Sequence, residues 1–248
     1  MNGKGIFNED MYGSRAKIGL VYIASSWVME PEFYEMSPNG VITCTSRVAL
    51  PDDVSADSVA EVGRRAVDAA AVLAEAPLDV ITLGCTSGSF IKGAGYDRQL
   101  IENMKKASGG IPCSTTSSAF IRALEAIGAK KIAVLTPYVE EVNDKAKSFL
   151  NDMGYEVTNF IGMGLIKDHD IDNVPLEKVY ELAKKANTDD ADALFIACTG
   201  LKTIPIIEAL EKELEKPVIT AIQATFWDCL RIAGVEDKIK GYGVLFDY

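Results

Sequence analysis

Two stretches of this 248-residue chain read as copies of one another: Asp79-Val-Ile-Thr-Leu-Gly-Cys85-Thr86-Ser87-Gly88 and Asp192-Ala-Leu-Phe-Ile-Ala-Cys198-Thr199-Gly200. Each is an acidic residue, an apolar run too short for a helix, and a cysteine followed by hydroxyl and glycine. That is the pattern of a buried strand opening into a turn. The same 113 residues separate the two aspartates and the two cysteines. A second echo pairs Pro112, Ser114–Ser118 and Ile127-Gly128 with Pro217, Thr220–Thr225 and Ala233-Gly234. A third pairs Ile18–Ile23 with Ile132–Thr136. Three echoes in one order imply a duplicated unit.

The apolar runs Ile18–Ile23, Val80–Leu83, Ile132–Leu135, Val157–Ile161, Ala193–Ala197 and Val218–Ala221 are rich in Val, Ile and Leu. They lack strict alternation, as parallel strands covered on both faces do. Helical stripes lie between them. Ala119–Ile127 aligns Phe120, Ile121, Leu124 and Ile127 and stops at Gly128, Val139–Met153 stops at Gly154, and Thr203–Leu214 aligns Ile206, Ile207, Leu210 and Leu214. The expectation is an α/β fold of two similar lobes with parallel sheets, related by a pseudo-twofold. A cleft would lie between the carboxyl ends of their strands, where open α/β sheets bind ligands.

Composition narrows the partners. Lys and Arg total 25 against 36 Asp and Glu, a formal net charge of -11, which disfavours nucleic acid and anionic membranes. No apolar run approaches the ~20 residues of a membrane span, and Met1 to Ala16 lack the apolar stretch of a secretion signal. A soluble, cytoplasmic protein acting on a small molecule is expected. Five cysteines (Cys44, Cys85, Cys113, Cys198, Cys229) form no C-x-x-C pair, and His169 is the single histidine. Neither a zinc cluster nor a histidine triad can be assembled from that set. The glycines of Lys92-Gly93-Ala94-Gly95 and Gly162-Met163-Gly164 match no dinucleotide or P-loop fingerprint, so a nucleotide cofactor has no support.

Cys85 and Cys198 are the candidate catalytic pair. Each follows a strand, where a helix N-terminus and its free N–H groups favour a thiolate. Thr86, Ser87, Thr199 and Gly200 beside them, Ser25 and Ser26 after the first strand, and Tyr138 after Leu135-Thr136-Pro137 supply donors for a carboxylate. The plainer readings are buried packing for the thiols and helix capping for the hydroxyls. Cys44, Cys113 and Cys229 read as structural, and His169 as a solvated loop residue in Lys167-Asp168-His169-Asp170. Two facing thiols can move a proton from one face of a carbon α to a carboxylate to the other. Alternatively, one thiolate adds to an electron-poor alkene, the single bond turns, and elimination gives the other geometric isomer. Both paths build negative charge that the hydroxyls and N–H groups would stabilise.

Cys85-Thr-Ser-Gly-Ser and Cys198-Thr-Gly, with Leu135-Thr-Pro-Tyr138-Val-Glu-Glu-Val-Asn143 between them, resemble the aspartate/glutamate racemase superfamily. The branch they resemble most is that of maleate cis-trans isomerase and arylmalonate decarboxylase. The resemblance spans about Lys17 to Phe246 and includes Pro217-Val-Ile-Thr, Phe226-Trp227-Asp228 and Arg231-Ile-Ala-Gly234. It implies two Rossmann-like lobes, residues 14–115 plus 218–248 and residues 116–217, a homo-oligomer, and an isomerase that needs neither metal nor organic cofactor. Maleate is the foremost substrate. Racemisation of an amino acid or hydantoin, decarboxylation of an arylmalonate, or a non-catalytic carboxylate-binding module are the alternatives. Cys198 resembles the cysteine shared by isomerase and decarboxylase, and Cys85 the one that is glycine in the decarboxylase. Thr86, Ser87 and Tyr138 match that enzyme's carboxylate-binding positions. Ser25-Ser26-Trp27 departs from the Ser-Ser-Asn of maleate isomerases. Trp27 replaces a carboxylate contact with bulk, which leaves a substrate other than maleate open.

Overall fold

The two copied runs become central strands of two separate sheets. The computed structural model describes residues 12–50 and 56–248; most of the segment read for a secretion signal, residues 1–11, lies outside them. The first sheet holds β1 (Ala16–Ile23), β2 (Val41–Val48), β3 (Val80–Gly84) and β4 (Cys113–Thr115) in the order β2-β1-β3-β4. The second holds β5 (Lys131–Thr136), β6 (Glu156–Gly162), β7 (Ala193–Ile196) and β8 (Val218–Thr220) in the order β6-β5-β7-β8. Every pairing is parallel and the two orders are the same. The chain is therefore two α/β lobes with parallel sheets. No helix among the described residues is long and apolar enough to cross a membrane.

The duplication reaches individual side chains. Asp79 accepts the backbone N–H of Lys17 at 2.7 Å, tying the entry of β3 to that of β1. Asp192 accepts the N–H groups of Lys130 and Lys131, both at 2.8 Å, doing the same for β7 and β5. In the first lobe Thr115 lies beside Leu83 in register, in the second Thr220 beside Ile196. Both threonines cap the helix that follows. Thr115 accepts from Ser118 N at the start of α5 (Thr116–Ala126), and Thr220 from Gln223 N at the start of α10 (Ala221–Ile232). An N-cap of this kind contributes about 1 kcal/mol.

Those two helices join the lobes. Phe120 of α5 packs on Phe195 of β7 with ring centroids 4.4 Å apart. Phe226 of α10 meets Phe33 of α1 (Met29–Met36) at 4.9 Å. Thr225 of α10 donates to Thr116 of α5 at 3.1 Å, where the helices lie against each other. Residues 218–220, at the start of the segment assigned above to the first lobe, pair with β7 in the second sheet, and α10 begins immediately after them.

Two strands have no counterpart in the apolar runs. β2 is an edge strand with one partner, so its sequence, Val-Ile-Thr-Cys-Thr-Ser-Arg-Val, mixes polar with apolar residues. The three residues of β4, Cys-Ser-Thr, carry almost no apolar signal although all are buried. The remaining helices flank the sheets: α2 (Ala56–Leu73), α3 (Thr86–Phe90), α4 (Tyr96–Ala107), α6 (Glu140–Asp152), α7 (Asp168–Asp172), α8 (Leu176–Ala186) and α9 (Ile207–Leu214).

Candidate active site

Cys85 follows β3 directly and takes the N-cap position of α3 in extended backbone (φ -148°). Its sulfur lies 3.9 Å from the Ser87 hydroxyl. Cys198, two residues beyond β7, occupies left-handed backbone at φ 88°. Its sulfur accepts the N–H of Gly200 at 3.4 Å. The two cysteines line one cavity of about 30 Å³ together with Ser26, Thr86, Ser87, Tyr138, Thr199 and Gly200. A roomier surface groove of about 640 Å³ between α2 and α4, lined in part by Arg64, Lys92 and Tyr96, contains neither thiol. The smaller space is the candidate site, because nucleophiles and unpartnered donors converge there.

Both lobes build the walls. Thr199 Oγ1 donates to the Gly84 carbonyl at 3.0 Å, so the turn after β7 is fastened to the end of β3. Tyr22 of β1 donates to the Thr199 carbonyl at 3.0 Å and lies 2.6 Å from Ser26 Oγ. Ser26 in turn donates to Asp172 of α7 at 2.8 Å. Gly200 is required for that approach, because a Cβ there would stand 2.6 Å from Asp172 Oδ1. Thr86 Oγ1 and Tyr138 Oη are buried without a hydrogen-bond partner, although the phenol lies near both Thr86 and the Cys198 sulfur. Buried hydroxyls in that state are groups a ligand can satisfy.

Burial dominates the electrostatics. The Cys85 thiol is pushed up to about 11 by desolvation, with a smaller upward push from Asp168; the Gly88 N–H pulls the other way. Cys198 is raised further, again by burial first, although the Gly200 N–H opposes it. The N–H groups thus act in the direction expected of a helix start, but exclusion of water outweighs them. Tyr138 is likewise raised well above a phenol's usual value by burial.

Two expected substrate contacts, Ser25 and Trp27, stand outside the lining. Ser25 donates at 2.6 Å to Asp168, which itself faces the cavity. The Trp27 indole is 44% exposed and stacks on His169, ring centroids 5.6 Å apart. His169 belongs to the short helix α7, not to a loop. Sequence reading missed the acidic pair on that helix. Asp168 and Asp172 are one turn apart and so share a face, and that spacing was the available signal. Ile23, Leu50, Val59 and Ile171 complete the wall with apolar surface. Among the described residues no group of three His, Cys, Asp or Glu side chains is arranged to hold a metal ion.

Comparison with known proteins agrees with this fold. The profile of the arylmalonate decarboxylase family matches residues 18–246. An arylmalonate decarboxylase from Bordetella bronchiseptica is 33% identical over 184 residues, covering 73% of this chain and 76% of that protein. A maleate isomerase from Alcaligenes faecalis is 25% identical over 244 residues, covering 92% and 94%. Among solved structures, the maleate isomerase Iso from Pseudomonas putida S16 superposes with a TM-score of 0.89 at 24% identity, over 93% of this chain and 98% of that one. The chain belongs to the arylmalonate decarboxylase family, in the branch of the aspartate/glutamate racemase superfamily that also contains the maleate isomerases.

Proposed function

We propose that this enzyme is a cofactor-independent isomerase of a small carboxylic acid in which Cys85 and Cys198 act from opposite lobes. One observation carries the reading: two thiols from equivalent strand ends of a duplicated fold line the same cavity, beside buried hydroxyls that lack partners. Cis-trans isomerisation of maleate is the reference reaction, and relatives with that activity match nearly the whole chain.

The chemistry follows from which thiol ionises first. Cys85, at the N-cap of α3 with the Gly88 N–H beside its sulfur, supplies the thiolate while Cys198 keeps its proton. The Cys85 sulfur adds to one alkene carbon. The π electrons move toward the neighbouring carboxylate, and the other carbon takes the Cys198 proton. The new single bond turns. Cys198 then removes a proton from that carbon, the C–S bond breaks, and the trans alkene leaves with Cys85 restored as thiolate. Thr86, Ser87 and Tyr138 would donate to the carboxylate as charge develops; a single donor of this kind is commonly worth about 3 kcal/mol.

Decarboxylation of an arylmalonate is the second reading, favoured by the 33% identity to that enzyme; the presence of Cys85 counts against it. Proton NMR of the purified protein with maleate separates them. The expected result is fumarate formation that falls at least a thousandfold in Cys85→Ser and in Cys198→Ser. No fumarate from maleate at neutral to mildly alkaline pH removes maleate. Carbon dioxide release from an arylmalonate that survives Cys85→Gly but not Cys198→Ala establishes the decarboxylase instead.

A further inference from the structure

Among the described residues, the cavity between the lobes carries one carboxylate and no cation. Asp168 reaches it, and no described lysine, arginine or histidine lines it. Ser25, from the other lobe, donates to Asp168 Oδ2 at 2.6 Å and fixes the carboxyl group; no described residue donates to Oδ1. One helical turn on, Asp172 takes the Ser26 hydroxyl on Oδ1, while its Oδ2 is buried without a partner. In the same cavity the hydroxyls of Thr86 and Tyr138 are unpartnered donors, each side chain more than nine-tenths buried. One carboxylate of a ligand is therefore provided for. A second would face the like charge of Asp168, with no guanidinium or ammonium in the lining to offset it.

We infer that Asp168 is a specificity-determining residue: the preferred substrate carries one carboxylate for the hydroxyls and an N–H donor, such as a carboxamide, for Asp168 Oδ1, and the matching dicarboxylate is the poorer ligand. What happens to the bound molecule rests on the isomerase reading; the binding preference does not. The assignment also connects binding to chemistry, because the Asp168 charge opposes ionisation of both thiols. A donor on Oδ1 offsets that charge and eases formation of the Cys85 thiolate.

Calorimetry with two saturated, unreactive ligands, succinamate and succinate, tests the preference on wild type and Asp168→Asn. Wild type is expected to bind the monoamide at least tenfold more tightly. Asp168→Asn should shrink that ratio at least tenfold, since an asparagine amide can donate to a carboxylate. Equal or tighter binding of succinate by wild type, binding of neither ligand, or a ratio unchanged in Asp168→Asn overturns the assignment. Should Asp168→Asn fail to fold, the wild-type ratio decides. Proton NMR with maleamate and maleate supplies the second arm. If the binding ratio is as expected but neither cis acid is converted, the isomerase reading fails and the role of Asp168 stands.

Discussion

Cys198 holds its sulfur toward the cavity from backbone that a non-glycine residue rarely adopts, φ 88°. A side chain there costs on the order of 1 kcal/mol or more, a cost proteins tolerate chiefly where a particular group must point in a particular direction. The usual ranking of small residues should therefore be reversed at this position. Cys198→Gly is expected to be more stable than Cys198→Ala by about 1 kcal/mol, measured by urea unfolding, with both inactive. An alanine variant as stable as the glycine variant would show that the left-handed backbone is not strained in solution. The strain was not legible in the sequence, because a cysteine followed by Thr-Gly gives no sign of which residue takes the positive φ. The cysteines themselves were legible, since the repeat placed them at equivalent strand ends. Trp27 shows the limit of residue-by-residue carry-over: the position was identified, but the indole lies on His169 outside the cavity.

Between elements, a pH-sensitive contact joins α1 of the first lobe to the segment that follows β7 in the second. Glu32 is 7% exposed and accepts Thr203 N at 2.7 Å, Ile204 N at 3.3 Å and Thr203 Oγ1 at 3.3 Å. Burial, opposed by those three bonds, raises its carboxyl from 4.5 to about 7. Folding thus favours the protonated acid. The associated stability, about 3 kcal/mol, is present in full below the unfolded value and is lost as pH rises through about 7. Gln at this position keeps Oε1 for both N–H groups and offers Nε2 to the threonine hydroxyl, without a charge to desolvate. The stability difference between Glu32→Gln and wild type should grow in the variant's favour by about 3 kcal/mol between pH 4.5 and pH 8. A difference that stays constant over that range would contradict the assignment. At this scale the sequence was informative where apolar periodicity was strong, as in β3, β7 and α5. It was silent for β2 and α7, chosen for an edge and for a polar cavity wall, and marked β4 only by its place in the repeat, since a strand of Cys-Ser-Thr leaves no apolar stripe.

As a whole, the molecule is two copies of one unit that exchange their last helices, α5 and α10, and meet across a water-sized cavity. A space of about 30 Å³ is far below the several hundred Å³ usual for ligand pockets. Admission of a substrate therefore requires the lobes or α7 to move. The ties available to break are Ser25 to Asp168 and Ser26 to Asp172, both between the end of β1 and α7. The duplication was readable from Asp79, Asp192 and the two cysteines. The tightness of the closure was not, because it depends on side-chain packing between segments more than a hundred residues apart. Cys85 and Cys198 line that one cavity, and once it opens both sulfurs should reach the same small acid. Treatment with one equivalent of dibromoacetone, a short reagent that alkylates two thiols in turn, followed by peptide mass spectrometry, measures this directly. A single three-carbon bridge joining the Cys85 and Cys198 peptides, with activity lost, is the expected result; independent labelling of the two thiols, or a bridge from either one to Cys44 or Cys113, would contradict it.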